Sequence, residues 1–364
     1  MTLPTPTDLA ARLHPQCSRR EVIEVREFLQ QQGTFRFPTL NSGLFSASAN
    51  DNEEFAATGY RNAWVRDTVH IAHVLWRTDQ PGMAVRAVES LMTYFQKYRH
   101  RFADIIEGRA DANDPQQRPH IRFDGDRLEE VDEKWSHAQN DALGAFFWLY
   151  LKMVAEGTLR PSPAQWDMLA DFPAYFRSVR YWEDEDSGHW EETRKIAASS
   201  IGIVVGALRL LQTLLTDDKC DYAWSRTKNG VGGDELAWLQ QQGEAALKMI
   251  LPYECLQPDP TQHRRYDSAL LFLSEPFGVV TADMAAQIAD DVRNHLMGPI
   301  GIRRYLGDSY WCADYKDKLS VDERTADFSD NLAERNRLLE PGTEAQWCLF
   351  DPTLSVIYAR RFAE

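Results

Sequence analysis

The densest chemistry in the chain lies in one short span, Tyr181-Trp182-Glu183-Asp184-Glu185-Asp186-Ser187-Gly188-His189-Trp190-Glu191-Glu192-Thr193-Arg194-Lys195. It mixes acids, aromatics, one glycine and two cations in an order that fits neither a core strand nor an amphipathic helix. The apolar run Ile196 to Leu208 follows at once. The span therefore reads as an acidic, aromatic loop that delivers Trp190-Glu191-Glu192 onto the start of a buried helix. A carboxyl set beside an indole and an apolar wall has its charged form disfavoured. A carboxylic acid that keeps its proton near neutrality can protonate a leaving oxygen, the step that glycoside cleavage needs. The same two glutamates would also suit a plain helix start, where acids favour the dipole.

Other segments repeat this chemistry. Tyr60-Arg61-Asn62-Ala63-Trp64-Val65-Arg66-Asp67 brings Trp64, Arg66 and Asp67 to the mouth of a helix. An arginine and an aspartate side by side make a fork of donors and acceptors for a pair of hydroxyls. Trp135-Ser136-His137-Ala138-Gln139-Asn140-Asp141 puts Trp135, His137 and Asp141 at a second helix start, after a turn at Arg122-Phe123-Asp124-Gly125. Arg303-Arg304-Tyr305-Leu306-Gly307-Asp308-Ser309-Tyr310-Trp311 is a polar, aromatic loop. Glu340-Pro341-Gly342-Thr343-Glu344-Ala345-Gln346-Trp347 is another helix entrance with carboxylates and a tryptophan, and Thr343 there would also serve as an N-cap. Each fragment alone has a bland explanation, as a cap, a surface ion pair or a satisfied histidine. Together they supply what a carbohydrate cleft requires: stacking faces, hydroxyl forks and two acids across a scissile bond.

The elements that must position them are helices. Ser18-Arg19-Arg20-Glu21 reads as a capping box opening a helix to residue 32. Helical patterns follow over 63–78, 84–102, 135–155, 164–180, 196–215, 234–251, 284–297 and 343–363, with a short apolar segment at 267–273. Residues 33–60 and 105–134 read as long loops. No strand-glycine-helix unit marks a parallel sheet. Segments apolar on every face alternate with one-sided ones, as they would where a ring of inner helices is wrapped by outer ones. The reading is a single domain over 1–364, with 1–59 as a helix-and-loop lead-in.

Composition bounds the partners. The 364 residues are 43% hydrophobic and 26% charged, a globular balance. A formal charge of -15 argues against a nucleic-acid binder, because phosphate backbones require a basic face. The five cysteines are scattered and form no paired motif, which suits reduced thiols in a cytoplasmic protein. Met1-Thr2-Leu3-Pro4-Thr5-Pro6 has no basic start or apolar core, and apolar runs such as Ala145 to Leu151 are too short to span a bilayer, so neither signal peptide nor membrane is expected. No metal-ligand spacing appears and no cofactor is implied.

These motifs resemble the glucoamylase family, glycoside hydrolase family fifteen, and more closely the glucoamylase-like domain of phosphorylase kinase α and β subunits. Trp64-Val65-Arg66-Asp67 is similar to the family's Trp-x-Arg-Asp, whose Arg and Asp hold the terminal glucose. Trp135 to Asp141 is similar to its Trp-Gly-x-x-Gln-x-Asp element. Trp190-Glu191-Glu192 resembles the segment whose first Glu is the general acid, which implies Glu191. Ala198-Ser199-Ser200-Ile201-Gly202 resembles Ala-Ser-Ser-Val-Gly, and Arg304-Tyr305-Leu306-Gly307-Asp308-Ser309-Tyr310 resembles Arg-Tyr-Pro-Glu-Asp-x-Tyr. Asp267 to Gly278 and Thr343 to Phe350 resemble the kinase-type segments. The likeness runs in order from about residue 60 to the C-terminus. It implies an all-α (α/α)6 toroid and an inverting, exo-acting α-glucosidase on small soluble α-glucosides or malto-oligosaccharides. It also implies sugar contacts from Trp64, Arg66, Asp67, Trp135, His137, Asp141, Trp190, Glu192, Arg304 and Trp347. The general base is open between Glu344, Glu340 and Glu334, with Glu344 leading. The kinase likeness keeps a rival in view, a sugar-sensing regulatory module that has lost turnover. No glycine-rich phosphate loop or kinase catalytic loop is present.

Overall fold

The computed structural model describes residues 14, 16–47, 61–78, 80–217, 220–260, 263–320, 323–324, 332–340 and 342–363. The expected loop over 33–60 lies partly outside them, at 48–60, and Met1 to Pro6 wholly so. The chain divides into two compact units, Met1–Thr39 and Leu40–Glu364.

The first unit holds α1 (Arg19–Gln31). Its expected capping box is present: the Ser18 hydroxyl accepts the Glu21 N–H, and the Glu21 carboxylate accepts the Ser18 N–H at 2.7 Å.

The second unit is built from helices α2 (Val65–Arg77), α3 (Pro81–Lys97), α4 (His100–Ile106), α5 (Asn140–Ala155), α6 (Pro163–Ser178), α7 (Ala198–Thr216), α8 (Asp221–Trp224), α9 (Gly233–Ile250), α10 (Ala282–Asp291), α11 (Tyr315–Lys318), α12 (Leu332–Asn336) and α13 (Phe350–Ala363). A single 3-10 stretch, Ser268–Leu273, takes the place of a helix between α9 and α10. The packing follows the expected alternation. The inner series runs α2, α5, α7, Ser268–Leu273 and α13, each packed on the next along α2–α5–α7–Ser268–Leu273–α13. The outer helices α3, α6, α9 and α10 cover α2, α5, α7 and Ser268–Leu273 in turn. Helix α7 is long and apolar enough to cross a membrane by composition, with a hydropathy of 1.6, which the short apolar runs of the sequence did not suggest. Its apolar window is 72% buried inside the protein, so it is a core helix here.

Inner helices can touch because small residues lie at their crossings. A Cβ on Gly144 of α5 would stand 3.1 Å from Ile203 Cγ2 and 3.2 Å from the backbone nitrogen of Val204 in α7. The neighbour there is backbone, which cannot step aside as a side chain can.

Three departures from the sequence reading matter for the site. Helix α5 starts at Asn140, not Trp135, and α13 at Phe350, not Thr343. In the first case Trp135 to Gln139 stays irregular, and the Asp186 carboxylate takes the Asn140 N–H at 2.9 Å, so the helix begins there. In the second, Trp347 exchanges backbone hydrogen bonds with Ile302 at 2.9 and 3.1 Å, which diverts residues 343–347 into extended chain. Finally, the 105–134 loop contains a short strand: Ala63–Trp64 pairs antiparallel with Arg122–Phe123, matching Trp64 with Arg122.

Replacing Gly144 with valine forces two backbones apart at the α5–α7 crossing. Urea unfolding should give a loss of about 1–3 kcal/mol, the usual cost of overpacking a tight core, and wild-type stability for the variant would contradict this packing.

Candidate active site

The loop between α6 and α7 is the acidic stretch of the sequence, and its acids are mostly anchors. Asp184 receives two hydrogen bonds from the buried Arg118, at 2.6 and 2.7 Å. Asp186 is wholly enclosed, holding the α5 start through Asn140 and accepting the Ser200 hydroxyl of α7 at 3.1 Å. Burial, with Asp141 and Asp184 nearby, pushes its carboxyl up to about 7. The Trp190 indole N–H donates to both oxygens of Asp267, at 2.9 and 3.1 Å. The Ser187 N–H donates to the Ala138 carbonyl at 2.7 Å.

With its ends fixed, the loop turns sharply at Glu191. A single 3-10 turn, Gly188–Trp190, ends there, and Glu191 sits at φ 53°, ψ 47°, the left-handed region that a side chain normally avoids. A non-glycine residue held there costs on the order of 1 kcal/mol, so its surroundings must impose it. One imposing contact pair is at the carboxylate: Oε1 accepts the Trp64 indole N–H at 3.0 Å and the Gln139 amide N–H at 3.0 Å. Among the described residues Oε2 makes no hydrogen bond. Arg66 Nη1 is 3.9 Å from Oε1.

Gln139 is the hinge of this arrangement. Its amide oxygen accepts from Arg66 Nη2, while its nitrogen donates to Ser136 O at 2.7 Å as well as to Glu191. Arg66 is buried and forked onto Asp141, Nε to Oδ2 at 2.6 Å and Nη2 to Oδ1 at 3.2 Å, with a further bond from Nη2 to Gly188 O at 2.9 Å. Burial would raise the Asp141 carboxyl, but Arg66 holds it below its ordinary value, so the pair stays ionised. His189 lies 3.4 Å from Asp141 and stacks on Phe272 at 4.9 Å. Burial depresses its imidazole to about 4, which keeps it neutral. Asp67, half-buried beside Arg66 and Glu191, is hydrogen-bonded to nothing among the described residues. Burial pushes its carboxyl up to about 6, with Glu191 and Asp141 adding to the rise and Arg66 opposing it.

The other expected contacts divide. The half-buried Trp135 meets Trp64 edge-on at 6.0 Å, and the Arg122 guanidinium lies 4.2 Å over its ring. Arg122, which the sequence placed in a turn and offered as a lesser candidate for touching substrate, is built into the tryptophan pair. Arg304 is clamped by Asp308 at 2.6 Å twice, and its guanidinium lies 5.1 Å over Trp190 and 4.6 Å over Tyr310. Trp347 stacks on Tyr310 at 6.1 Å, joining the same group. Four of the expected sugar contacts, His137, Glu192, Asp141 and Trp64, are enclosed by protein. His137 is fully buried, takes the Ile121 N–H on Nδ1 and stacks on His120 at 3.7 Å, so it is a core residue. Glu192 turns away from Glu191 into a shell of Lys195 at 3.1 Å, Arg264 and the Tyr305 hydroxyl at 2.5 Å. Burial opposes its charge, but Arg264 and Lys195 hold its carboxyl well below the ordinary range. Asp141 and Trp64, likewise enclosed, act on the site through Arg66 and Glu191.

The base candidates also separate. The Glu334 and Glu340 side chains are 57% and 72% exposed, against 8% for Glu344. Glu344 accepts the Gly307 N–H at 3.1 Å and lies 3.6 Å from Arg303, on the loop that carries Arg304. Among the described residues no cluster could hold a metal ion.

Comparison with known proteins identifies the family. Residues 28–336 match the family described as Glycosyl hydrolases family 15, and the chain belongs to that family. It is 27% identical over 282 residues to a probable phosphorylase b kinase regulatory subunit alpha of Caenorhabditis elegans, a match that takes in 68% of this chain but only 21% of that protein. Among solved structures, it is similar to a glycosidase in complex with glucose, with a TM-score of 0.61, 17% identity and coverage of 94% and 92% of the two chains. It also resembles a bacterial glucoamylase complexed with acarbose, at a TM-score of 0.56 and 14% identity, covering 87% of this chain and 45% of that one. Those likenesses establish the fold, the (α/α)6 toroid.

Beneath the site, Glu254 is buried with its carboxyl accepting the Ser199 N–H and hydroxyl at 3.2 and 2.6 Å. Burial, then the nearby Asp267, pushes it up to about 8. Glu254 and Asp186 therefore keep protons in the folded chain at pH values where the unfolded chain has released them. Stability from this source is present at low pH and falls as pH rises toward 7 and 8, by up to about 1.4 kcal/mol per pH unit for each group. Glu254→Gln should flatten the fall between pH 6 and 8 when unfolding free energies are measured by urea titration. An unchanged slope would mean that Glu254 does not hold its proton.

Proposed function

We propose that the chain is an inverting, exo-acting α-glucosidase on small α-glucosides or malto-oligosaccharides, with Glu191 as general acid and Glu344 as general base. The observation that carries this reading is the state of the Glu191 carboxyl. One oxygen is fixed by two N–H donors and the other is left without a hydrogen bond, so a proton has a defined place on Oε2. Beside it, Arg66 is rigidly aimed and Asp67 stands unpaired, a donor and an acceptor for the hydroxyls of a terminal glucose. Trp135, Trp190 and Arg304 supply faces around the ring. For the base, burial favours Glu344, because a carboxylate that must order one water against bulk solvent cannot stand in it. Inversion would need the two carboxyls roughly 6.5–9.5 Å apart, with that water between them.

The second reading, a sugar-binding regulatory module with little turnover, is favoured by one feature of the site. Glu344 is already engaged by the Gly307 N–H and lies 3.6 Å from Arg303, so part of its capacity to accept from a water is taken. It also fits the name of the Caenorhabditis elegans relative, a regulatory subunit. Calorimetric binding of maltose with no release of glucose would decide for it.

Proton NMR of maltose hydrolysis should show β-glucose as the first product. Glu191→Gln should reduce kcat by roughly 10²–10⁴-fold, the usual contribution of a general acid. The hydrolase reading ends if no α-glucoside is cleaved, or if the Gln variant equals the wild type.

Asp67 accepts hydroxyls more strongly as a carboxylate, and burial pushes its carboxyl up to about 6. KM for maltose should therefore fall as pH rises through about 6. Asp67→Asn should abolish that step and raise KM by about tenfold or more, the value of a charged hydrogen bond. A KM profile that Asp67→Asn leaves intact would remove Asp67 from sugar binding.

A further inference from the structure

A hollow lies against the loop that carries Glu191, lined by Glu192 to Lys195 of that loop. Its volume is about 400 Å³, within the range of small-ligand sites. Its wall includes Arg194, Lys195, Arg264 and Glu192, with Gln257 and Tyr305. Three basic side chains thus line it beside a single carboxylate, in a chain whose formal charge is -15.

The simplest account is that the cations only neutralise buried carboxylates, and it covers Lys195 and Arg264 against Glu192 and Asp267 but leaves Arg194 over. Lys195 and Arg264 both bind Glu192. Arg264 also lies 3.2 Å from Asp267, and its guanidinium rests on the Tyr305 ring at 3.6 Å, which fixes it in place. Arg194 has no carboxylate partner among the described residues and donates only to the Asn113 carbonyl, at 2.5 Å. Glu254, behind the wall, is pushed up to about 8 and adds no negative charge near neutrality. A further donor points the same way: the Gln257 amide nitrogen is buried with no hydrogen-bond partner. A buried donor left unmade costs about 1–3 kcal/mol, and rotation of the Gln257 side chain toward the hollow would let an acceptor ligand recover it. Guanidinium and ammonium donors converging around a hollow are the chemistry that reads a phosphate.

We propose that this hollow binds a phosphate group carried by a small sugar, with Arg194 and Gln257 as its recognition residues alongside Lys195 and Arg264. That the phosphate is borne by a sugar rests on the carbohydrate reading above; the anion site itself does not.

Calorimetry on the full chain with glucose 6-phosphate, glucose and inorganic phosphate tests this without requiring turnover, so a chain that fails to hydrolyse glucosides still reports on the site. Glucose 6-phosphate should bind at least tenfold more tightly than glucose and weaken as sodium chloride is added. Arg194→Ala should weaken glucose 6-phosphate about tenfold while leaving glucose unchanged. Gln257→Leu, which removes an unpaired donor without breaking a bond, should weaken it several-fold and stands in if Arg194→Ala misfolds. Binding of inorganic phosphate that is sensitive to the same changes supports a bare anion site. Its silence beside tight glucose 6-phosphate binding supports a sugar phosphate. Equal affinity for glucose and glucose 6-phosphate, or wild-type affinity for glucose 6-phosphate in the variants that fold, overturns the proposal.

Discussion

One amide holds the candidate site together. Gln139 accepts from Arg66 on its oxygen and donates to Glu191 from its nitrogen, so the guanidinium and the carboxyl are positioned by the same side chain. An amide can do this because it offers both polarities at fixed separation. A glutamate at 139 would repel Glu191, and a leucine would release both partners. The position of Gln139 is itself determined by the irregular stretch before α5, since its nitrogen also bonds Ser136 O. The failure of α5 to begin at Trp135 is therefore a requirement of the site: a helical residue 139 would commit its backbone to the helix and aim its side chain along it.

The remaining charges of the loop are a consequence of displaying one acid in a left-handed turn. Burying a carboxylate costs several kcal/mol unless it is paired and hydrogen-bonded. Asp184 meets that condition through Arg118, and Glu192 through Arg264, Lys195 and Tyr305. Asp186 and Glu254 meet it another way, by keeping a proton. These anchors grip the loop on both sides of residue 191, and the strain of its backbone is held against them.

Much of this was legible in the sequence. Helix alternation follows from the periodicity of apolar residues, and a capping box such as Ser18 to Glu21 is a local signal. The convergence of Arg66, Asp67, Trp135, Trp190 and Glu191 came from motif order together with the family likeness. What escaped were long-range pairings that no local pattern encodes. Gln139 as a bridge depends on residues more than fifty positions away. Glu192 and Glu191 are indistinguishable as letters; the left-handed φ of one sends consecutive carboxylates to different partners. His137 shares a motif with Asp141 but stacks on His120, a contact that depends on the path of the 105–134 segment. The helix expected from Thr343 fails because Trp347 finds a backbone partner in Ile302, which the 343–363 pattern could not announce.

The division of roles inside Trp190-Glu191-Glu192 bears on how a hydrolase and a sensor can share this fold. Arg66, Asp141, Gln139 and the anchors of the loop all serve binding and posture, and a module that only senses sugar has the same need of them. Keeping that network therefore says nothing about turnover. Turnover depends on two further features: an acid oxygen free to carry a proton, and a base free to take one from water. Glu191 retains the first, with Oε2 unbonded. The second rests on Glu344, whose carboxylate takes the Gly307 N–H and faces Arg303, so a modest change in the 303–307 loop could strengthen or release its hold. On that proposal the difference between the two functions is confined to one short loop, apart from the Gln139 network that holds Arg66 and Glu191.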